Sequence, residues 1–448
     1  MSPVGQQHAI RFITSPFKHK RFTSMRSELF RIPLEWGGVP LFGGGALLVA
    51  LLLGVGLYAL WSKRAHGAQA DLWGLLPPTG VAAAILLLTP RLAPAGVPIR
   101  AYGVLLVAAI AVGLVMSIHR ARSRGIDADT VLSLALWWLF IPGIVGARLF
   151  FVIEYWEVRY AALPWREAVF DAFRFTEGGL VVYGSLIGAT LGFLAFAWRY
   201  RLPALALADL IAPSLLAGLA IGRVGCLMNG CCFGGPCELP WAVTFPPTSP
   251  PFEEQLARGE LHGVRLRTAT DGQSLTIDLP AEHAGERVLA VDGVATRSAY
   301  EAAAGFRAAY AAGRPVELRL ARGETLRLPA STLRRSRPVH PTQIYSTINA
   351  ALLAWLLWTL YPLRRRDGTV LLTMLTLYPI GRFLLEMIRI DEADFLGTGM
   401  SISQNLSLVL LAAAALGWWV VLTRPAALWP GISQGSDSKV GTPAPTAA

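Results

Sequence analysis

Long apolar runs, separated by short polar or basic stretches, occupy the first half and the last quarter of the chain. A run of about 20 apolar residues is long enough to cross the hydrocarbon core of a bilayer as one helix. The hydrophobic pattern therefore predicts nine membrane-spanning helices. They lie at 41–61, 73–89, 99–118, 131–153, 179–198, 205–222, 342–361, 369–388 and 403–422.

One long hydrophilic stretch, 237–338, interrupts this pattern. The short runs in its second half, separated by D-G and R-G steps, predict a strand, a turn, a helix and two further strands. This order resembles the second half of a PDZ domain, so we expect a small α+β, PDZ-like insert outside the membrane. Because PDZ domains bind extended peptides at a sheet edge, the insert either has a peptide partner or is a structural insert without a ligand.

The same pattern divides the chain into six parts, of which the last is low in complexity and is predicted to be disordered. They are an amino-terminal extension (1–40), an additional pair of spans (41–96), the first half of a seven-span core (97–236), the insert (237–338), the second half of the core (339–423) and a tail (424–448).

Composition agrees with an all-α polytopic membrane protein, since the chain is 54% hydrophobic and 15% charged. The net charge of +11 does not indicate a nucleic-acid partner, because basic residues in short loops set membrane orientation. If all nine segments span, these loops and the carboxy terminus face the cytoplasm, and the 223–337 region lies on the outer side. The basic loop residues are Lys63, Arg64, Arg120, Arg122, Arg124, Arg199, Arg201, Arg364, Arg365 and Arg366.

Two arginines near the ends of apolar segments are candidates for an anion site. Arg223 lies in GRVGCLMNGCCFGG, where we expect a loop rich in glycine, asparagine and cysteine to follow it at once. A guanidinium near a bilayer is costly unless an anion meets it. In GRFLLEMIR, helical spacing predicts that Tyr378, Arg382, Glu386 and Arg389 share one face with net positive charge, which suits a phosphate. The alternative, which we favour for Arg389 alone, is an ion-pair network that only holds helices together.

Further polar residues lie in or beside the predicted spans and complete the candidate set. They are Tyr102, Arg148, Glu177, Tyr183, Asp209, Asn229, Gly234, His340, Gln343 and Tyr345.

All four cysteines fall close to Arg223, with the spacing C-x4-C-C-x4-C. Zinc sites usually have C-x2-4-C pairs set well apart, and the adjacent Cys231 and Cys232 cannot easily share one tetrahedral ion. We therefore expect no metal, and disulfides remain open on an outward face. Neither an H-E-x-x-H zinc motif nor a G-x-S-x-G nucleophile motif occurs.

Together these stretches resemble the prolipoprotein diacylglyceryl transferase family over 97–235 and 339–423, which hold seven of the predicted spans. The additional amino-terminal pair and the insert lie outside that common core. The motifs that carry the resemblance are R-x-Y-G at 100–103, GARLFFVIEYW, EGGLVVYGSLIG, DLIAPSLLAGLAIGRVGCLMNG, HPTQIY, GRFLLEMIR and SISQNLSL.

The resemblance implies a bacterial cytoplasmic-membrane enzyme that moves diacylglyceryl from phosphatidylglycerol to the lipobox cysteine of a preprolipoprotein, with glycerol phosphate leaving. It implies no metal, nucleotide or other cofactor. By motif position, Arg223 matches the family's phospholipid-binding arginine, Arg382 its essential carboxy-terminal arginine and Tyr102 a functional tyrosine. The matching motifs imply that further residues bind substrate or support the reaction, namely Arg148, Asp209, Asn229, Gly234, His340, Gln343, Tyr378 and Glu386.

Tyr183 marks a departure from the family pattern, because well-studied members carry a histidine there that is proposed to act as base. The reference pKa of tyrosine is near 10, which makes Tyr183 a poor base at neutral pH unless arginines depress it. Tyr183 then orients the donor, while Glu386, His340 or no dedicated group takes the proton. Cys226 and Cys231 also depart, since those members carry asparagine and glutamate.

Three other functions are alternatives to the transferase. A transporter or flippase for an anionic lipid would use the same arginines, but it calls for an inverted repeat of broken helices. The repeat seen in the sequence, VPLFGGGALLVA (39–50) and VPIRAYGVLLVA (97–108), is parallel and lies outside the arginine region. A PDZ-bearing intramembrane protease lacks its catalytic motif in this sequence. An inactive relative of the transferase, in which Tyr183 marks lost catalysis, is the third.

Overall fold

A computed structural model describes residues 28–66, 76–161, 163–173, 179–247, 249–261, 263–268, 274–297, 299–328, 335–390 and 398–432. Glu177 and most of the tail predicted to be disordered lie outside the described residues. Two compact units are present, of which one comprises residues 23–104 and the other contains residues 105–448.

The unit 23–104 combines short strands with two apolar helices. Strand β1 (Glu28–Ile32) pairs antiparallel with β4 (Val97–Arg100), and β2 (Glu35–Trp36) pairs with β3 (Val39–Pro40). Helices α1 (Ala46–His66) and α2 (Leu76–Leu92) follow β3 and precede β4 in sequence, and they pack against each other. Among the described residues their apolar stretches are shorter than those of the seven helices below, so that their role as two additional spans stays a prediction.

Seven longer helices confirm the predicted polytopic core, since each is long and apolar enough to cross a membrane. These are α3 (Ala101–Arg122), α4 (Ala128–Glu154), α6 (Val182–Arg199), α7 (Ala204–Asn229), α10 (Thr342–Leu363), α11 (Thr369–Glu386) and α12 (Ile402–Thr423), and the shorter helices between them are α5 (Trp165–Ala172), α8 (Pro250–Ala257) and α9 (Ala299–Ala312).

Helices α4 and α6 approach each other closely because glycines line their contact. A side chain on Gly184 would collide with the carbonyl of Gly146 and with the side chain of Phe150. Small residues allow backbones to meet in this way inside membranes, where packing replaces the hydrophobic effect as the driving force. The tyrosine at position 183 is therefore carried on a helix whose place in the bundle is tightly fixed.

Helix α7 is the most enclosed of the seven. In its most apolar 18-residue stretch 56% of the residues are buried, whereas the share in each of the other helices is 28% or less. It packs against α10 and α11. It also continues to Asn229, so the prediction that a loop begins directly after Arg223 was wrong. The hydropathy falls at Arg223, but the backbone hydrogen bonds continue, because neighbouring segments cover this last part of the helix.

The insert is an α+β domain with an antiparallel sheet in the order β10-β9-β7-β6-β5, with β8 paired to β7. Apolar side chains from the sheet and from α8 and α9 form its core. The predicted order of strand, turn, helix and two strands over the second half is confirmed, while the likeness to a PDZ domain and the peptide partner stay predictions. The strands are β5 (Arg265–Thr268), β6 (Leu275–Leu279), β7 (Arg287–Val291), β8 (Val294–Ala295), β9 (Val316–Leu320) and β10 (Thr325–Leu328).

Candidate active site

The glycine-rich loop that follows α7 is held between the beginning of α10 and the end of α11. Gly230 ends the helix in the left-handed conformation, with φ of 75°. The amides of Gly234 and Gly235 then donate to the carbonyls of His340, at 3.0 Å, and Ile388, at 2.9 Å. The amide of His340 donates back to Gly235 at 3.0 Å. The loop, which belongs to the first half of the core, is therefore tied to the second half, on the other side of the insert in sequence.

Side chains from the HPTQIY motif fix the same loop through its carbonyls. The Gln343 amide nitrogen donates to the carbonyl of Cys231 at 2.7 Å, and the Thr342 hydroxyl donates to that of Cys232 at 2.6 Å. Gln343 is only 1% exposed. A buried side-chain NH₂ group that lost its acceptor would be costly, so this hydrogen bond holds the Cys231 carbonyl, and with it the loop, in place. This motif orders the loop beside Arg223.

Gly234 is required by close approach. A Cβ at this position would lie 2.6 Å from the Cβ of His340 and 2.9 Å from Cγ2 of Thr342. We expect Gly234→Ala to displace the loop and to lower turnover by about 10²-fold, since a misplacement of about 1 Å has effects of that size. The control is Gly235→Ala, whose Cβ meets nothing closer than 3.4 Å and which should stay near wild type. Equal losses in both variants would show that the close contact at Gly234 is not what matters.

Arg223 has the distinctive environment in this region. Its Nε is buried without a hydrogen-bond partner, and within the described part of the chain no carboxylate lies at ion-pair distance from its guanidinium. Arg382 and Arg389, by contrast, both pair with Glu386. A partly buried guanidinium without a carboxylate partner is costly, so the site is arranged to receive an anion that the described residues do not supply.

A chain of hydrogen bonds runs across three helices beside it. The Arg382 guanidinium donates to the Ser403 hydroxyl at 2.7 Å, and this hydroxyl lies 3.2 Å from the Tyr183 hydroxyl. On its other side, Arg382 lies 2.6 Å from the Glu386 carboxylate, which also lies 3.3 Å from Arg389. The predicted pairing within GRFLLEMIR is thus confirmed, although Arg389 lies beyond the end of α11 and not on its face.

These groups form one positively charged cluster. The charge of Arg389 and the hydroxyl of Tyr378 are close enough to act on the Arg223 guanidinium. Among the described residues, the cluster holds three guanidiniums (Arg223, Arg382 and Arg389) and one carboxylate, Glu386, which leaves a net charge of about +2. Because arginine binds phosphate oxygens through a planar fork of donors, such a cluster suits a phosphate ester.

Three thiols border this cluster. The Sγ atoms of Cys226, Cys231 and Cys232 lie within 4.8 Å of one another, and all four cysteines are free. Hydrogen bonds with the Cys226 and Cys231 thiols, together with the charges of Arg389 and Arg223, hold the pKa of the Cys232 thiol below its usual range. Cys232 takes a left-handed conformation with φ of 59°, which brings its thiol close to those of Cys226 and Cys231.

Comparison with known proteins identifies the family. A family model described as prolipoprotein diacylglyceryl transferase matches residues 90–420. The chain belongs to the prolipoprotein diacylglyceryl transferase family. It is 33% identical over 472 aligned residues to the phosphatidylglycerol–prolipoprotein diacylglyceryl transferase of Rhodopirellula baltica, an alignment that covers 94% of this chain and 93% of that relative. The enzyme of the same name from Acaryochloris marina is 40% identical over 161 residues, or 35% of this chain and 54% of the relative.

Asp209, which the transferase motif suggested as a substrate-binding residue, lies away from Arg223. It is fully buried, and its carboxylate accepts from the amides of Gly368 and Leu371, each at 2.8 Å, and lies 3.3 Å from Nε of Arg364. Arg223 lies fourteen residues further along α7, about 21 Å at the helical rise per residue. The structure thus places Asp209 at the opposite end of the helix, where it caps the beginning of α11.

Arg148 is likewise occupied by the transferase's own backbone. Its guanidinium donates to the carbonyls of Asp171, at 2.7 Å, Ala172, at 2.7 Å, and Gly179, at 3.0 Å. It is 7% exposed. Three carbonyls at one guanidinium join α4 to the segments that precede α6, so these contacts support a positioning role rather than contact with substrate.

The remaining candidates occupy three different surroundings. Asn229 is the last residue of α7 and is half-buried. Nδ1 of His340 lies 3.4 Å from the Tyr345 hydroxyl, which accepts from the indole of Trp241 at 2.7 Å. Tyr102 lies in the first turn of α3 and is 40% exposed.

Ser403 is the site residue that sequence reasoning missed. It lies in the SISQNLSL motif of the transferase family, but a serine in an apolar segment carries no strong signal of its own. Ser401 begins α12 with a capping box that includes Gln404. This cap fixes the first turn of the helix, and with it the place of Ser403 between Tyr183 and Arg382.

Proposed function

We propose that this protein transfers the diacylglyceryl group of phosphatidylglycerol to the lipobox cysteine thiol of preprolipoproteins. The observation that carries the proposal is Arg223, a partly buried guanidinium that has no carboxylate partner among the described residues and lies at the edge of a cluster of positive charge. The donor phosphate is the anion that this cluster receives. The named activity of the relatives supports the same assignment.

The reaction places its largest charge change at the phosphate. The acceptor thiolate forms a C–S bond to the terminal glycerol carbon of the diacylglyceryl group. The C–O bond between that carbon and the phosphate breaks, and glycerol phosphate leaves with the electron pair. Because the leaving phosphate gains charge as this bond breaks, Arg223 and Arg382 stabilise the transition state more than the bound lipid.

The acceptor must lose its thiol proton, since the thiolate is the nucleophile. Glu386 is poorly placed to take it, because the carboxylate is held by both Arg382 and Arg389. We propose that Glu386 is a positioning residue for Arg382, and that Tyr183 acts on the same arginine through Ser403. The thiol proton then either is lost to solvent, so that the ionised fraction of the thiol reacts, or passes to His340, which lies against the glycine-rich loop.

Tyr183→Phe distinguishes a positioning role from a general base. The variant removes only the hydroxyl that contacts Ser403. We expect kcat to fall by about tenfold or less, whereas loss of a general base costs about 10²–10⁴-fold. The measurement is the rate of peptide lipidation as a function of pH. A larger loss, together with loss of the rise in rate as the pH increases, would assign the proton transfer to Tyr183.

For orientation, we propose that the glycine-rich loop and the insert lie on the extracytoplasmic side of the cytoplasmic membrane and that the carboxy terminus is cytoplasmic. Within the unit that contains residues 105–448, basic loop residues lie at the opposite end of the bundle from Arg223, where Arg364 pairs with Asp209 and Arg124 donates to the carbonyl of Trp429 at 3.0 Å. Positive charge gathered at one end supports a cytoplasmic location for that end.

For the parts outside the core, we propose that α1 and α2 are two further membrane spans and that the insert is PDZ-like. The outer surface of α1 supports the first proposal, because Leu53, Leu57 and Leu60 are each at least 60% exposed and would be covered by lipid. The fold order of the insert supports the second. A peptide that binds the insert would add to a sheet edge.

The direct test of the function is a transfer assay. Purified protein in detergent receives phosphatidylglycerol and a short lipobox peptide, and mass spectrometry follows the peptide. A gain of one diacylglyceryl group, absent when the peptide cysteine is replaced by serine, is the expected result. Folded protein that modifies no peptide but, when placed in vesicles, moves lipid from one leaflet of the bilayer to the other would instead support a flippase.

A further inference from the structure

Three thiols converge at the end of α7 on a point that the proposed transfer reaction does not use. The Sγ atoms of Cys226, Cys231 and Cys232 lie within 4.8 Å of one another. Sulfur atoms that share one tetrahedral ion at about 2.3 Å lie about 3.8 Å apart. The thiols would therefore have to close by at most about 1 Å, which side-chain rotation can supply.

The backbone holds the three thiols together. Cys232 has φ of 59°, a left-handed conformation that is unfavourable for a residue with a Cβ. Strain of this kind persists only where the surroundings enforce it. Here Gln343 and Thr342 bind the carbonyls of Cys231 and Cys232, and the Cys231 amide donates to the carbonyl of Cys226 at 3.2 Å. The backbone that carries the sulfur atoms is thus held by these bonds to its own amide and carbonyl groups, and the Cys231 thiol also donates to the carbonyl of Cys226 at 3.7 Å.

The surrounding charge favours a bound metal thiolate. Three thiolates and one divalent cation carry a net charge of −1. The positive charges of Arg223 and Arg389 act on Cys232 and would offset that charge. Thiolate ligands select soft or borderline ions, of which Zn²⁺ is tetrahedral and accepts three protein ligands with one open position.

We propose that Cys226, Cys231 and Cys232 form a binding site for one zinc ion, which fixes the glycine-rich loop beside Arg223. Binding displaces the remaining thiol protons to solvent and involves no change of oxidation state. The fourth position of the ion stays open, because within the described residues no His, Asp or Glu joins this group. Binding of the ion can be measured without the transfer reaction.

The test uses the full-length protein in detergent, reduced and stripped of metal, with Co²⁺ as a spectroscopic probe. We expect one Co²⁺ per chain, with sulfur-to-metal charge-transfer absorbance that Zn²⁺ abolishes by displacement. Cys226→Ser and Cys232→Ser should each weaken Co²⁺ binding by at least about tenfold. Cys237→Ser is the matched control, because Cys237 is a buried free cysteine outside the group, and its spectrum should equal that of the wild type.

A second readout keeps the test independent of folding defects in the serine variants. Zn²⁺ should raise the thermal midpoint of the wild type and of Cys237→Ser, and should leave that of Cys226→Ser unchanged. The proposal is overturned if reduced wild-type protein shows no charge-transfer absorbance. It is also overturned if the absorbance persists in Cys226→Ser, or if the reduced protein binds no Co²⁺ and two of the three cysteines form a disulfide on oxidation.

Discussion

Arg223→Ala should abolish turnover, with a loss of at least about 10²–10³-fold, the size expected when one preorganised donor to a developing oxyanion is removed. The reason is that Arg223 is a partly buried guanidinium to which the described residues offer no carboxylate, so that its charge is available to the donor phosphate. Arg223→Lys keeps the charge but loses the planar fork, and should recover part of the activity. The measurement is kcat/KM for the lipobox peptide at saturating phosphatidylglycerol.

The control for this prediction is Arg166→Gln, which removes an arginine that is exposed on α5. It should leave both folding and turnover unchanged. If Arg223→Ala were to turn over at the wild-type rate, the phosphate would have to bind elsewhere, and the cluster of Arg223, Arg382 and Arg389 would be a structural network only.

Asp209→Ala should produce the largest loss of stability. The substitution leaves Arg364 buried, with its side chain 2% exposed, and it leaves the amides of Gly368 and Leu371 without their acceptor. Removal of one partner from a buried ion pair costs about 3–5 kcal/mol. The measurement is the midpoint of thermal unfolding in one detergent, followed by intrinsic fluorescence.

A double-variant cycle with Arg364→Ala separates this role from substrate binding. The double variant should lose less than the sum of the single losses, because it no longer buries the Arg364 charge without the Asp209 carboxylate. The fraction of Asp209→Ala that stays folded should keep the wild-type KM for phosphatidylglycerol. A raised KM in a protein of normal stability would return Asp209 to the donor site, as the family motif had suggested.

The sequence predicted the core well because hydrophobic length is a strong signal. Seven spans were placed near their observed bounds, and α11 was expected at 369–388 and begins at Thr369. The end of α7 was predicted less well. An arginine followed by glycine, asparagine and cysteine residues predicted a loop after Arg223, whereas the helix continues to Asn229.

The sequence predicted which residues belong to the site better than it predicted the contacts between them. Helical spacing was enough to pair Arg382 with Glu386, since both lie on α11. It could not show that Asp209 binds the beginning of that helix, because the partner lies far away in the chain. Nor could it show that Cys232 turns its thiol toward Cys226, which depends on a backbone conformation that loop packing imposes.

The most direct test of the central proposal follows both products of one turnover. Phosphatidylglycerol labelled in its head-group glycerol is incubated with the purified protein and a lipobox peptide. We predict one labelled glycerol phosphate released for each peptide that gains an unlabelled diacylglyceryl group, because the bond that breaks joins the diacylglyceryl carbon to the phosphate oxygen. Label on the peptide, or lipidated peptide without released glycerol phosphate, would contradict a phosphate leaving group held at Arg223.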